Sequence, residues 1–312
     1  MLERFTDFLL ELTGLQTGTA LFVSAEFFIA DVIKIFLLLI TIIFVISVVR
    51  SYLPPDRIRK ILSGKNSLVS SLMAAGVGVF TPFCSCSAIP LFLGFLEAGV
   101  PVSATFSFLI ASPMVNEVAL IMLLSMFGWK IALVYLGLGI TIAVSSGLIL
   151  EKIGAEKWIL KIAAKELAHK DGKMSFEERL VYAKKYTKSI LNNVWIYIII
   201  GVGIGAAIHG YVPVDYLADI ASKDHWYAVP AAVLLGVPLY SNAAGIVPLI
   251  SVLTEKGVAI GTVLAFMMAV TGLSFPEFMI LKKVLKWQLL ALFILVIAIG
   301  IIAAGYIFNA II

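Results

Sequence analysis

The chain has 312 residues, of which 61% are apolar and only 13% charged, and it carries a net charge of +4. Soluble domains carry about 25% charged residues, so this composition, with a mean hydropathy of +1.07, excludes a soluble domain and gives a protein whose first partner is the lipid bilayer. The basic excess belongs to loops, so nucleic acid need not be invoked, and the lack of strand-type alternation argues against an outer-membrane barrel.

Residues 1–26 contain Glu3, Arg4, Asp7, Glu11 and Glu26, which do not form the basic n-region and apolar core of a signal peptide. They read as an interfacial segment. The span 27–49 carries only Asp31 and Lys34, three residues apart on one helix face, where they can neutralise each other. The loop 50–65 holds Arg50, Arg57, Arg59, Lys60 and Lys65 against Asp56 alone. Next come 31 uncharged residues, 66–96. That is too long for one upright helix and too short for two full ones with a turn, which need ~40 residues. A hairpin of two short helices is predicted, folding back at 84–87. Ser112-Pro113 interrupts the following helix just before Asn116 and Glu117, and 131–150 is a full apolar span.

The stretch 151–188 holds ten Lys or Arg, which assigns the connector 152–187 to the cytoplasm. Its apolar residues Trp158, Ile159, Ile162, Ala163 and Leu167 recur at helical spacing, as in an amphipathic helix on anionic lipid. A span at 189–208 leads to the loop 209–225, where Asp215, Asp219 and Asp224 face Lys223 alone. A second uncharged run, 226–254, is 29 residues long and predicts a second hairpin, folding back at 241–245. Thr271-Gly272 interrupts the next helix before Glu277, and 288–312 is the last span. Irregular backbone at membrane depth survives only where protein or water covers it.

The second half repeats the first. Pro90-Leu91 through Glu97-Ala98-Gly99-Val100 parallels Pro248-Leu249 through Glu255-Lys256-Gly257-Val258, and Trp129 parallels Trp287, both 158 residues on (90 to 248, 129 to 287). Tyr52-Leu53-Pro54-Pro55-Asp56 parallels Tyr211-Val212-Pro213-Val214-Asp215, and Glu117 pairs with Glu277 if two residues are inserted near Thr271-Gly272. The repeat units are 27–151 and 188–312. Their equivalent loops carry opposite charge, and Lys282, Lys283 and Lys286 correspond to a region with only Lys130. Under the positive-inside rule the halves are upside down relative to each other, each with an odd number of spans, five. The expected fold is therefore an all-α integral membrane protein of two inverted-topology repeats of about five helices each. Broken or re-entrant hairpins meet at the midplane, and both termini lie outside.

The chain's two cysteines, Cys84 and Cys86, stand at the first hairpin tip between Pro82 and Pro90. Thiolate is a soft-metal ligand and nucleophile, and a short helix beginning near Ser87 would aim its positive dipole end at both sulfurs. A dithiolate suits a soft, thiophilic metal or metalloid such as Cu(I). Two other readings stand beside this one. The pair also reads as small buried hydrophobes, or as a redox couple closing into a labile disulfide and exchanging with a thioredoxin-like partner. Ser241 and Asn242 supply hydrogen-bonding groups at the second tip, and Gly245 permits close backbone approach. Intramembrane Glu117 and Glu277 suit proton coupling, while Ser112 and Asn116 line the same cavity. Glu97 and Glu255 read as hairpin ends, His169 and His225 as loop residues, and His209 as interfacial. No phosphate loop, Ser–His–Asp arrangement or zinc spacing occurs, so neither an enzyme nor a cofactor is expected.

Three of these motifs together resemble a known family. They are Pro82-Phe83-Cys84-Ser85-Cys86-Ser87-Ala88-Ile89-Pro90, Ala111-Ser112-Pro113 and Ser241-Asn242-Ala243-Ala244-Gly245-Ile246-Val247-Pro248. The chain resembles the YraQ/ArsP-type predicted permeases over most of its length, apart from the N-terminal segment and parts of the connector. The resemblance implies a permease of the cell inner membrane. Through the branch that exports trivalent organoarsenicals, it implies proton-coupled efflux of a soft metalloid. Cys84, Ser85, Cys86, Ser87, Ser112, Asn116, Ser241 and Asn242 would form the substrate site, with Cys84 and Cys86 on the metalloid. A homo-oligomer is compatible with this reading.

Overall fold

A computed structural model describes residues 19–52, 66–81, 85–160, 175–211, 225–239, 243–255, 257–282 and 284–311. Among them the chain is helical, with no strand and one isolated bridge, Ile159 to Leu285. The first half contains α1 (Ala20–Tyr52), α2 (Ser67–Val79), α3 (Ser85–Glu97), α4 (Val102–Met114), α5 (Glu117–Phe127) and α6 (Trp129–Ile153). A short 3-10 turn, Ala155–Trp158, follows. The second half contains α7 (Phe176–Tyr211), α8 (Ala228–Gly236), α9 (Ala243–Glu255), α10 (Ile260–Gly272), α11 (Phe275–Leu281) and α12 (Trp287–Ile311).

The membrane reading rests on lengths and exposure. α6 and α12 have 25 residues each, about 37 Å at 1.5 Å per residue, enough for a ~30 Å hydrocarbon core. Ile260–Leu281 is also long and apolar enough, and α4 with α5 qualifies as a pair bent by 45°. Large apolar side chains such as Ile121, Leu133, Leu295 and Ile299 stand exposed on these helices, as lipid-facing residues do. By contrast α2 and α3, of 13 residues each, span only about 20 Å apiece. The first uncharged run thus forms two helices, each too short to cross alone.

The helix bounds recur at a constant spacing. From α3 to α9 (85 to 243), α4 to α10 (102 to 260), α5 to α11 (117 to 275) and α6 to α12 (129 to 287), the starts differ by 158. α3 and α9 end in the same cap. The N–H of Val100 donates to the Phe95 carbonyl at 3.0 Å and that of Val258 to Leu253 at 3.1 Å, across Gly99 (φ 71°) and Gly257 (φ 87°). This is the glycine-capped close of a helix, which requires a left-handed residue. It explains why the Glu-x-Gly-Val pattern occurs twice. Because the spacing holds through the later breaks, the two-residue insertion expected near Thr271-Gly272 is absent. Phe275, not Glu277, holds the register of Glu117.

Packing contacts recur as well. α4 packs on α2, α3 and α6 in the first half, as α10 packs on α8, α9 and α12 in the second. Between halves, α1 meets α7, α4 meets α10 and α6 meets α12, while α5 reaches α9 and α11 reaches α3. A Cβ on Gly300 would fall 2.9 Å from Ile142, its own counterpart (142 to 300). Counterpart helices thus meet each other where the halves pack together. α7 starts with a capping box: Ser175 N–H donates to Glu178 at 2.7 Å, and Glu178 N–H donates to the Ser175 hydroxyl at 3.3 Å. Residues 176–187 of the expected connector therefore lie in α7. The expected tip residues Ser85, Cys86 and Ser87 form the first turn of α3, two residues earlier than the predicted helix start, and Gly245 lies in the first turn of α9. Cys84, Ser241 and Asn242 lie outside the described residues.

A side chain at Gly261 would run into the Gly305 carbonyl and Asn309, whereas one at Gly137 would meet nothing within 4 Å. Gly261→Ala should therefore force α10 and α12 apart and cost about 1–3 kcal/mol. Gly137→Ala should be neutral or gain about 0.5–1 kcal/mol from helix propensity. Thermal unfolding of the detergent-solubilised variants is expected to show that contrast.

Candidate functional site

The site is organised by two helix breaks. α4 stops at Met114 after Pro113, which lacks the N–H a helix interior needs, and Val115 leaves the helical region at φ −127°, ψ 72°. α5 then starts under Asn116, whose side-chain oxygen accepts the Ala119 N–H at 2.8 Å, a conventional N-cap. In the second half α10 stops at Gly272, Leu273 adopts φ −134°, ψ 43°, and Ser274 stands at the N-cap of α11. The two breaks touch: a Cβ on Gly272 would sit 3.3 Å from the Met114 Cβ. Met114 and Gly272 are counterparts (114 to 272). Both predicted interruptions are present, displaced toward the C-terminus by only two or three residues.

Buried carbonyls freed by a break require donors. Tyr135 of α6, fully buried, donates its hydroxyl to the Met114 carbonyl at 2.7 Å. Its counterpart is Phe293 (135 to 293), which has no hydroxyl; the second break is instead tied back to α8, with the Phe275 N–H donating to Val237 at 3.2 Å. The breaks are shaped accordingly. α4 and α5 are bent by 45°, whereas 260–281 passes as one apolar span.

Each hairpin is pressed onto the broken helix of its own half by a glycine. A Cβ on Gly78 of α2 would lie 3.1 Å from both the Phe108 carbonyl and the Ser112 amide nitrogen. One on Gly236 of α8 would lie 2.9 Å from the Ala269 Cβ and 3.2 Å from the Phe266 carbonyl. Gly78 precedes Cys84 by six residues and Gly236 precedes Asn242 by six. Ser112 is fully buried at the last turn of α4. Cys86, with Ser85 and Ser87, opens α3, and α11 packs against α3. Glu277, the third residue of α11, is 1% exposed. Glu117 opens α5, which packs on α9. It is half-buried, and its Oε2 has no hydrogen-bond partner among the described residues.

Sequence reasoning located the breaks but missed Tyr135 and the paired glycines. The glycines carried a usable signal, since Gly78 and Gly236 keep the 158-residue spacing (78 to 236). Tyr135 carried none, because its counterpart is phenylalanine. Among the described residues no group of three or more His, Cys, Asp or Glu could hold a metal ion.

A model of the predicted permease family matches residues 22–310. Among similar proteins, one from Streptococcus mutans, named as a two-component membrane permease complex subunit, is 29% identical over 252 residues, covering 78% of this chain and 80% of that protein. The UPF0718 protein YcgR of Bacillus subtilis is 27% identical over 57% of this chain and 60% of its own length. A UPF0718 protein of Methanocaldococcus jannaschii is 22% identical over 70% of this chain and 75% of its own. No solved structure matches the chain.

Tyr135→Phe keeps the ring and deletes the donor, leaving the Met114 carbonyl with one partner fewer in a dry site. A loss of about 1–3 kcal/mol is expected, measurable as a lower midpoint of thermal unfolding. Phe293→Leu, which breaks no hydrogen bond, should show only the packing loss of a volume change.

Proposed function

The chain belongs to the predicted permease family, and from that premise we propose that it is an inner-membrane efflux permease for a soft, thiophilic solute such as a trivalent methylarsenical. Cys84 and Cys86 bind the solute as a dithiolate, and Ser85, Ser87, Ser112, Asn116, Ser241 and Asn242 complete the pocket. Glu117 and Glu277 carry the protons that couple release. The observation that carries this reading is the crossed packing of the halves: the helix opened by Glu117 lies on α9 and the helix bearing Glu277 lies on α3. Each carboxylate helix thus reaches the hairpin helix of the opposite half. A rearrangement of one half against the other would move a carboxylate relative to a tip.

The proposed halves are inverted-topology repeats. Support comes from the constant spacing of helix bounds, the self-paired contacts and the opposite charge of the loops 50–65 and 209–225. Counting the bent pair α4 and α5 as one span, with α2 and α3 returning to their own side, gives an odd number of full crossings per half. In that arrangement the basic connector faces the cytoplasm and both termini face outward. Alternating access follows from rocking of one repeat against the other around the tips.

The Streptococcus relative's name favours a companion protein, and we extend that to this chain: a second membrane or soluble subunit accompanies the permease. A thioredoxin-like companion acting on Cys84 and Cys86 is the redox version of the same idea. The relay predicts a mixed disulfide trapped by the partner, and the exporter does not.

Everted membrane vesicles with an imposed proton gradient test the exporter directly. Wild type should accumulate methylarsenite, and Cys84→Ala/Cys86→Ala should lower the initial rate at least ~10-fold, the loss expected when ~1.4 kcal/mol or more of binding disappears. Glu277→Gln should abolish the dependence on the gradient while leaving counterflow exchange. Equal accumulation by wild type and the cysteine variant would overturn the thiol site.

A further inference from the structure

We infer that the crossing of α2, α4 and α6 holds a sodium-sized monovalent cation, ligated by the hydroxyls of Ser71, Ser103 and Ser107 and balanced by the Glu151 carboxylate. This goes beyond the thiol site and the proton-coupling carboxylates and depends on neither.

The crossing has a counterpart that shows what packing alone requires. α4 and α6 meet at Gly147, where a Cβ would collide with the Ser103 carbonyl and the Ser107 hydroxyl. α10 and α12 meet at Gly305 (147 to 305), where a Cβ would fall 2.9 Å from the Ala265 Cβ and 3.3 Å from the Gly261 carbonyl. The same close approach is therefore made with glycine and alanine in place of Ser103 (103 to 261) and Ser107 (107 to 265). The serines are not needed to bring the helices together, yet both are fully buried, and so is Ser71 of α2. None of the three hydroxyls has a hydrogen-bond partner among the described residues. A hydroxyl buried in that state costs about 1–3 kcal/mol, and three around one crossing call for a ligand.

The crossing is closed on its outer side by a carboxylate. The Ser67 hydroxyl donates to Glu151 Oε1 at 3.3 Å, tying the start of α2 to the end of α6. Ser67 and Ser71 are one turn apart on α2, as are Gly147 and Glu151 on α6, so the carboxylate lies one turn outside the serines. The donor set is all oxygen, which suits hard cations. One carboxylate, reinforced by the negative end of the α6 dipole, balances a single positive charge and disfavours an anion. The neighbouring Lys152 is exposed to solvent. At the counterpart of Glu151 stands Asn309 (151 to 309), whose amide accepts the Gly261 N–H at 2.8 Å and donates to the Thr262 hydroxyl at 3.4 Å. That end is neutral and its hydrogen bonds are made, so the cation site belongs to the first half alone.

Full-length protein in detergent is unfolded thermally in sodium chloride and in choline chloride of equal ionic strength, following intrinsic tryptophan fluorescence. Sodium is expected to raise the wild-type midpoint saturably, by roughly 5 °C at high excess over the dissociation constant. Ser103→Ala/Ser107→Ala should lose the sodium-dependent rise while unfolding in choline no earlier than wild type, since the second half packs without these hydroxyls. Glu151→Gln should raise the half-saturating sodium concentration at least ~10-fold, the effect of removing ~1.4 kcal/mol of attraction. Equilibrium binding of radiolabelled sodium to wild type reads the same site without any substitution. A wild-type midpoint indifferent to sodium, no sodium bound, or an undiminished rise in the double variant would overturn the inference.

Discussion

Two glycines, Gly78 and Gly236, let the hairpin helices α2 and α8 lie directly against the carbonyls of the broken helices α4 and α10, and the rest of the architecture follows from that approach. Helices in lipid gain nothing from hiding apolar surface from one another, so backbone proximity through small residues supplies the van der Waals contact that holds them. A broken helix is tolerable in such a place only if its freed backbone groups find partners inside the protein. Here the bend of the first break is held by Tyr135 and the second by the Val237 carbonyl. The glycine contacts fix how closely α2 and α8 lie against the broken helices.

The halves share a plan but not a chemistry. Where the first has Tyr135, Ser103, Ser107 and Glu151, the second has Phe293, Gly261, Ala265 and Asn309. The first half has a 45° bend between α4 and α5, and the second continues through 260–281 as a single span. In a proposed carrier built of two such units, this inequality supplies two packings of one design, and rocking between access states would use the difference. In the proposed carrier the cysteines belong to one half and the amide to the other, which would make the solute site one-sided as well.

Much of this was legible in the residues. The uncharged runs 66–96 and 226–254 were the wrong length for any whole number of upright spans, which forced short helices, and Pro113 and Gly272 announced the breaks. Glu-x-Gly-Val read as a repeat because a left-handed residue is required at each hairpin end. The register of Glu277 was misread because matching carboxylates by type overrode the 158-residue spacing that the helices keep. Tyr135 and the buried serines could not be found from pattern, since hydroxyls in apolar helices are ordinary until packing shows whether they are satisfied. Cys84, Ser241 and Asn242 remain expectations drawn from sequence, and their roles stand as proposals.

The proposed account requires the two halves to be oppositely oriented, and that orientation can be measured without knowing the solute. In a Cys84→Ala/Cys86→Ala background, single cysteines are placed at Gly64 in the basic stretch 50–65 and at Ser222 in the acidic stretch 209–225. A membrane-impermeant maleimide is then applied to intact cells and to everted vesicles. Labelling of position 222 from outside and of position 64 only in everted vesicles is the predicted result. Labelling of both positions from the same side would contradict the inverted arrangement and, with it, the meeting of the two tips from opposite faces.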